Sequence, residues 1–199
     1  MTIAPSTLSG ATMRPTEATY DELQHAFNHF NARLFEGSLP HCLLTLQREK
    51  QTLGYFSEGR FVNLADGAIT DEIAMNPAHF GIAPLQDVMQ TLVHEMVHLW
   101  QHHFGKPGRA RYHNAEWAAK MEAIGLMPSD TGRPGGARTG DRMNDYVIAG
   151  GRFEVACAGL LDADFRLSWA DRFPSFYLAD LVDEPSRPDH GSSATAAGA

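Results

Sequence analysis

The sequence predicts an α+β fold: a small, mostly antiparallel sheet packed on the helix that carries His94 and His98, with other helices around it. Three observations predict this. Apolar residues recur at helical spacing in two long stretches, one ending near Phe35 and one starting near Pro84. Short runs of strand character, broken by glycines, fill the interval between them. An H-E-x-x-H motif, His94 to His98, sits on the second helical stretch and gives its polar side a purpose.

The elements follow in order. From Thr16 to Phe35, Tyr20, Leu23, Phe27, Phe30 and Leu34 recur at helical intervals, and Gly37 and Pro40 end the pattern. Strand-like runs cover Cys42–Leu46, Leu53–Phe56, Arg60–Leu64 and Glu72–Met75, with Gly54, Gly59 and Gly67 at turns or bulges. Pro84 opens the long helix and Gly105 with Pro107 closes it, because proline is tolerated in a first turn and glycine just past a last one. A shorter helix is expected from about His113 to Ile124, stopped by Gly125 and Pro128. The glycine- and arginine-rich run 129–142 reads as a loop without the phosphate-binding P-loop pattern. Asp145–Ala149 reads as a strand, and the aromatic stretch from Phe153 to Tyr177 as a cover for the core with no assigned structure.

Composition bounds the function. The chain has 199 residues, 43% of them apolar, enough to bury a real core in one domain. A formal charge of −8 excludes a protein held to DNA by overall basicity. The two cysteines, Cys42 and Cys157, form no C-x-x-C pair, which fits a reducing cytoplasm and leaves no cysteine zinc ribbon in this chain. The N-terminal residues lack the basic start and apolar core of a signal peptide, and no apolar run is long enough to span a bilayer. Residues 1–15 and 184–199 are small, polar and rich in proline or Ser/Ala/Gly, and read as disordered tails. One domain, residues 16–183, lies between them.

The H-E-x-x-H motif carries the chemistry. At 100° per residue, His98 falls about 40° around from His94 and one turn along, so both imidazoles can grip one zinc ion. Glu95 stands about 100° to the side, where a carboxylate can serve a water as general base without being a ligand. Leu85, Val88, Leu92, Met96, Val97, Leu99, Trp100 and Phe104 project to one side, and Asp87, Thr91, Glu95 and His98 to the other. A random H-E-x-x-H need not show that partition. A catalytic zinc takes three protein ligands. Gln101 and Phe104 stand where a metzincin has glycine and histidine, so the third ligand lies further on. His113 and Glu116 compete for it, three residues apart on one expected helix face, and periodicity does not separate them. His102 and His103 are read as cations that favour the negative end of the helix.

With these pieces in hand, the sequence resembles the SprT-like family, the group that includes the Spartan proteases of DNA–protein crosslink repair. The shared track runs from about Tyr20 to Phe153. It comprises L-F-E-G-S-L-P at 34–40, L-G-Y-F at 53–56, M-N-P at 75–77, T-L-V-H-E-M-V-H-L-W-Q at 91–101 and Y-H-N at 112–114. In that family a histidine in an H-[GN]-x-x-[FW]-like segment is the third zinc ligand. H-N-A-E-W at 113–117 matches it, so the resemblance implies His113 as ligand, with Glu116 in reserve. It also implies a compact zincin-like fold in which a sheet edge guides an extended substrate. This chain would be a minimal member, without the four-cysteine ribbon of many relatives and with an atypical C-terminal segment at 150–183.

The expectation is therefore a cytoplasmic zinc-dependent endopeptidase with one catalytic Zn2+ and Glu95 as base, acting on protein or peptide substrates. A non-enzymatic scaffold that keeps the zinc fold is the alternative, disfavoured by the intact Glu95. Tyr112 and Tyr146 are candidate donors to the transition-state oxyanion. Glu72, Ile73, Ala74, Met75 and Asn76 are the candidate substrate-pairing edge. Residues 106–142 hold seven basic side chains against four acidic ones. Lys106, Arg109, Arg111, Arg133, Arg138 and Arg142 thus form a candidate basic patch for nucleic acid, with an ordinary solvated loop as the plainer reading. No membrane association is expected.

Overall fold

Helix α1 (Pro15–Leu34) opens with a proline where a missing N–H is harmless. Its Leu23, Phe27, Phe30 and Leu34 recur every three or four residues and are buried to within 1%. The computed structural model describes residues 14–49, 52–109 and 112–173. The expected tails fall outside these residues apart from Arg14 and Pro15, and Pro15 already belongs to α1.

Three strands follow: β1 (Leu43–Leu46), β2 (Gly54–Val62) and β3 (Ile69–Met75). They form one sheet in the order β1-β3-β2, with β1 parallel and β2 antiparallel to β3. The runs Leu53–Phe56 and Arg60–Leu64 merge into the single strand β2. The register shifts between Ser57 and Phe61, where Gly59 takes a φ of +53°. A bulge of this kind bends one strand without ending its pairing.

The sheet order corrects one expectation. Glu72, Ile73, Ala74 and Met75 lie on the central strand, paired with β1 on one side and β2 on the other. Their backbone is spent within the sheet and cannot receive a substrate. The Glu72 carboxylate accepts a hydrogen bond from Thr45 at 2.6 Å. Asn76, just beyond β3, caps the short helix α2 (Pro77–Phe80) and donates to the carbonyls of Glu49 and Thr52. Among the described residues, the sheet edge left unpaired on the side facing α3 belongs to β2.

Helix α3 (Leu85–Phe104) is the centre of the molecule. Val88, Met89, Leu92, Val93, Met96, Val97 and Leu99 are completely buried, against the sheet, α1 and the later helices. Each such side chain contributes roughly 1.5–3 kcal/mol by leaving water. Phe104, assigned to the apolar side by projection, is 54% exposed because the helix outruns the core there. Helix α4 (Ala115–Ile124) starts at Asn114, whose side chain accepts from Trp117 N, so His113 precedes the helix instead of riding on it. Strands β4 (Leu126–Ser129) and β5 (Asn144–Val147) form an antiparallel pair, and the loop 129–142 lies between them. Two of these elements, β4 and helix α5 (Arg152–Leu161), had no clear signal in the sequence. Helix α5 packs on α1 through Phe153 stacked on Phe30 and through His29, which bonds the Ala156 carbonyl at 2.8 Å. The chain then crosses α1, where Ser168 N donates to Glu22, and reaches α2, where Asp171 N donates to the Pro77 carbonyl.

Candidate metal centre

Three histidines from two separate pieces of chain converge on one point. His94 and His98 project from α3, and His113 is brought over them by a β-bridge between His113 and Gly140. One ring nitrogen of each histidine lies within 4.8 Å of the others. Nε2 of His98 and Nε2 of His113 face each other at 3.1 Å. Ligands of one tetrahedral zinc stand roughly 3.3 Å apart, so this spacing needs little adjustment.

The outer nitrogens explain why the inner ones are available. Nδ1 of His113 donates to the Gly140 carbonyl at 3.1 Å, and Nδ1 of His94 donates to Asp145 Oδ2 at 2.8 Å. A carbonyl and a carboxylate can only accept, so Nδ1 carries a proton in each ring, and in the neutral ring Nε2 then presents its lone pair. Burial and the two neighbouring imidazoles push His98 well below the usual histidine range. His113 is pushed down to about 4, first by burial and then by His94. Both are neutral, as ligands must be. Burial also pulls on His94, but the Asp145 hydrogen bond and the Glu95 charge outweigh it and leave its pKa raised. The donor set of three convergent imidazoles fits zinc.

Asp145 and Trp117 complete the frame. Asp145 is held in turn by Gln90, whose side-chain nitrogen donates to both its Oδ1 and its carbonyl at 2.8 Å. Trp117 is fully buried, and its indole lies against all three imidazoles, with ring centroids 4.4 Å from His113, 4.9 Å from His94 and 5.4 Å from His98. The sequence offered one faint sign of Asp145: an acidic residue inside a short, otherwise apolar strand pattern.

Glu95 is buried beside the cluster, and its pKa is raised by burial first, with Asp145 adding to the rise. His94 and the backbone amide of Phe56 on β2 oppose that shift. The β2 edge therefore passes directly beside this carboxylate. Gly54 permits the approach, since a Cβ there would stand 3.0 Å from both Thr91 of α3 and the Ala74 carbonyl.

Glu116 does not face the histidines. Its carboxylate accepts from Lys106 N at 2.6 Å and from Gln101 at 2.9 Å, and these bonds lower its pKa. Gln101 also donates to Asn114, so Glu116 and Gln101 tie the start of α4 to the end of α3. Of the candidate donors, Tyr112 packs under the Arg109 guanidinium. Tyr146 follows Asp145 on β5, and strand alternation turns it to the opposite face. In the basic segment, Arg109 pairs with Asp141 and Arg138 with Glu122. Lys106 N holds Glu116, Arg133 lies at the turn closed by Ser129, and Arg142 is exposed. Arg111 lies outside the described residues.

The SprT-like family profile matches residues 23–134, more than half of the chain. The chain belongs to the SprT-like family. The SprT-like segment runs from within α1 to just beyond β4 and includes the three histidines, Glu95 and Trp117. A Salmonella typhimurium protein described only as an uncharacterized protein in the mucB 3' region is 58% identical over 59 residues, 30% of this chain and 80% of that protein. No solved structure matches the chain. SprT-like proteins are of the metallopeptidase type, and zinc is the metal the family suggests. Among the described residues, no helix is long and apolar enough to cross a membrane.

Proposed function

We propose that this chain is a zinc-dependent endopeptidase in which His94, His98 and His113 hold the ion and Glu95 is the general base. The observation that carries the reading is the convergence of three imidazoles, two of which, His94 and His113, have their outer nitrogens already engaged, with a buried carboxylate beside them. Zinc at this position supplies a water acidified to a pKa of about 7 and a Lewis acid for the scissile carbonyl. Glu95 takes the proton from the attacking water and passes it to the departing amine. Its raised pKa brings the carboxyl nearer to neutrality, which suits a group that must both accept and give a proton. Asp145 fixes the ring orientation of His94.

Substrate binds as an added strand along β2, whose main chain borders Glu95 at Phe56. Recognition through backbone groups makes the specificity broad. The basic segment lies next to the centre because the His113–Gly140 bridge draws its loop inward, and it offers nucleic acid a docking surface. The setting of that activity is the cytoplasm.

The test is zinc content together with cleavage of an unstructured protein, with and without single-stranded DNA, for wild type and Glu95→Gln. The expected result is equal zinc in both and a rate about 10²–10⁴-fold lower in the variant. Equal cleavage by both proteins would sink the peptidase reading. An unchanged wild-type rate on adding DNA would assign the basic residues to local ion pairs and solvation.

A further inference from the structure

A second group of metal-type donors lies one helical turn beyond His98, separate from the centre described above. His102 continues the stripe of His94 and His98 at a spacing of four residues, and His103 follows it. Both meet carboxylates from the sheet. Nδ1 of His102 lies 3.0 Å from Glu58 Oε2, and Nε2 of His103 lies 2.7 Å from Asp71 Oδ2. One donor atom each from Asp71, His102 and His103 falls within 4.8 Å of the others. These side chains line a cleft of about 480 Å³ with Glu58 and His41 on its walls.

Asp71 is presented as ligating carboxylates are. It is 7% exposed, and its Oδ1 accepts the Gly59 amide at 2.7 Å. The positive φ of Gly59 at the β2 bulge aims that amide. One oxygen is thereby oriented from behind and the other turned to the histidines. Burial pushes the Asp71 carboxyl up, but the Gly59 amide and His103 more than offset this, so it stays charged. The mouth of the group is open, with His102 and His103 each about a third exposed and Glu58 72% exposed. An entering ion keeps room for a water or a fourth ligand.

We propose that Asp71, His102 and His103, with Glu58 at the mouth, form a second divalent-metal site that takes Zn2+. Two imidazoles with carboxylate oxygens suit zinc and its transition-metal neighbours, whereas calcium and magnesium select all-oxygen shells. Coordination requires the His103–Asp71 pair to part from 2.7 Å to roughly 3 Å, a side-chain rotation that releases the shared proton. An ion here ties the end of α3 to β2 and β3 beside the bulge. It therefore steadies the β2 edge beyond Phe56. This inference stands apart from the peptidase reading, since it concerns binding alone.

The experiment counts zinc equivalents bound to the metal-depleted full chain by native mass spectrometry and equilibrium dialysis. Wild type, His103→Gln, Asp71→Asn and His113→Ala are compared, with circular dichroism to check folding. Wild type is expected to take two equivalents. His103→Gln and Asp71→Asn retain one and bind the second at least tenfold more weakly, while His113→Ala keeps the Asp71 site. His102→Gln, at a partly exposed side chain, weakens the same equivalent without touching the core. A single equivalent in folded wild type that persists at full affinity in His103→Gln and Asp71→Asn overturns the proposal. So do two full-affinity equivalents in the folded variants of Asp71, His102 and His103.

Discussion

Asp145 Oδ2 accepts the Nδ1 proton of His94 at 2.8 Å, and Gln90 holds the same carboxylate from its other oxygen. The bond joins β5 to α3 across 51 residues of sequence. It sets which nitrogen of His94 turns inward. Asp145→Asn keeps the shape but removes the charge that favours this tautomer, and zinc affinity is expected to fall about 10–100-fold. A competition titration against a chromophoric chelator measures this. An unchanged affinity would show that Asp145 does not act on the ligand.

His113 and Glu116 give opposite results on substitution. His113→Ala loses the zinc bound at the centre, because one of three convergent nitrogens is gone. Glu116→Gln keeps it, because that carboxylate is engaged by Lys106 N and Gln101. Metal analysis after gel filtration distinguishes the two. Zinc lost from Glu116→Gln but retained in His113→Ala would reverse the assignment.

Trp117 is the packing surface for all three imidazoles and has no exposure to solvent. Trp117→Ala removes a large buried side chain and is expected to cost about 3–5 kcal/mol in urea unfolding. Trp117→Phe preserves a ring against the histidines and costs less. Equal losses from the two substitutions would argue against the indole as a support for the rings.

His79, on α2 and not among the three converging histidines, supplies a pH dependence of its own. It is 2% exposed, its Nδ1 has no hydrogen-bond partner among the described residues, and burial pushes its pKa down to about 4. The unfolded chain takes up this proton first, so the stabilisation is fully present above about pH 6.5 and declines as pH falls towards 4. The loss amounts to roughly 3 kcal/mol. His79→Leu should flatten that part of the stability profile, read as the midpoint of denaturant unfolding at each pH. A parallel profile for the variant would contradict this.

Gly125 ends α4 at a φ of +97°, and a Cβ there would come within 2.7 Å of Phe153 N and 2.8 Å of Arg152 N. Backbone strain and collision with the start of α5 act together. Gly125→Ala is expected to cost at least about 2 kcal/mol, seen as a lower thermal midpoint. A midpoint equal to wild type would mean that α5 can shift away freely.

Elements whose signals are local were legible in the sequence. The 3.6-residue period of Leu23, Phe27, Phe30 and Leu34, the Pro84 and Gly105 boundaries, and the spacing of His94 and His98 all arise within a few turns of one helix. The match of residues 112–117 to a family segment pointed to His113. The tertiary structure alone decided the strand order, which put Glu72–Met75 in the sheet centre and left the β2 edge beside Glu95. It alone drew Asp145 to His94, turned Glu116 to the end of α3 and brought Asp71 to His103. Helix period and capping are settled by neighbours in the chain. Strand order and the partners of a buried carboxylate are settled by long loop closures and packing, which leave no period in the sequence.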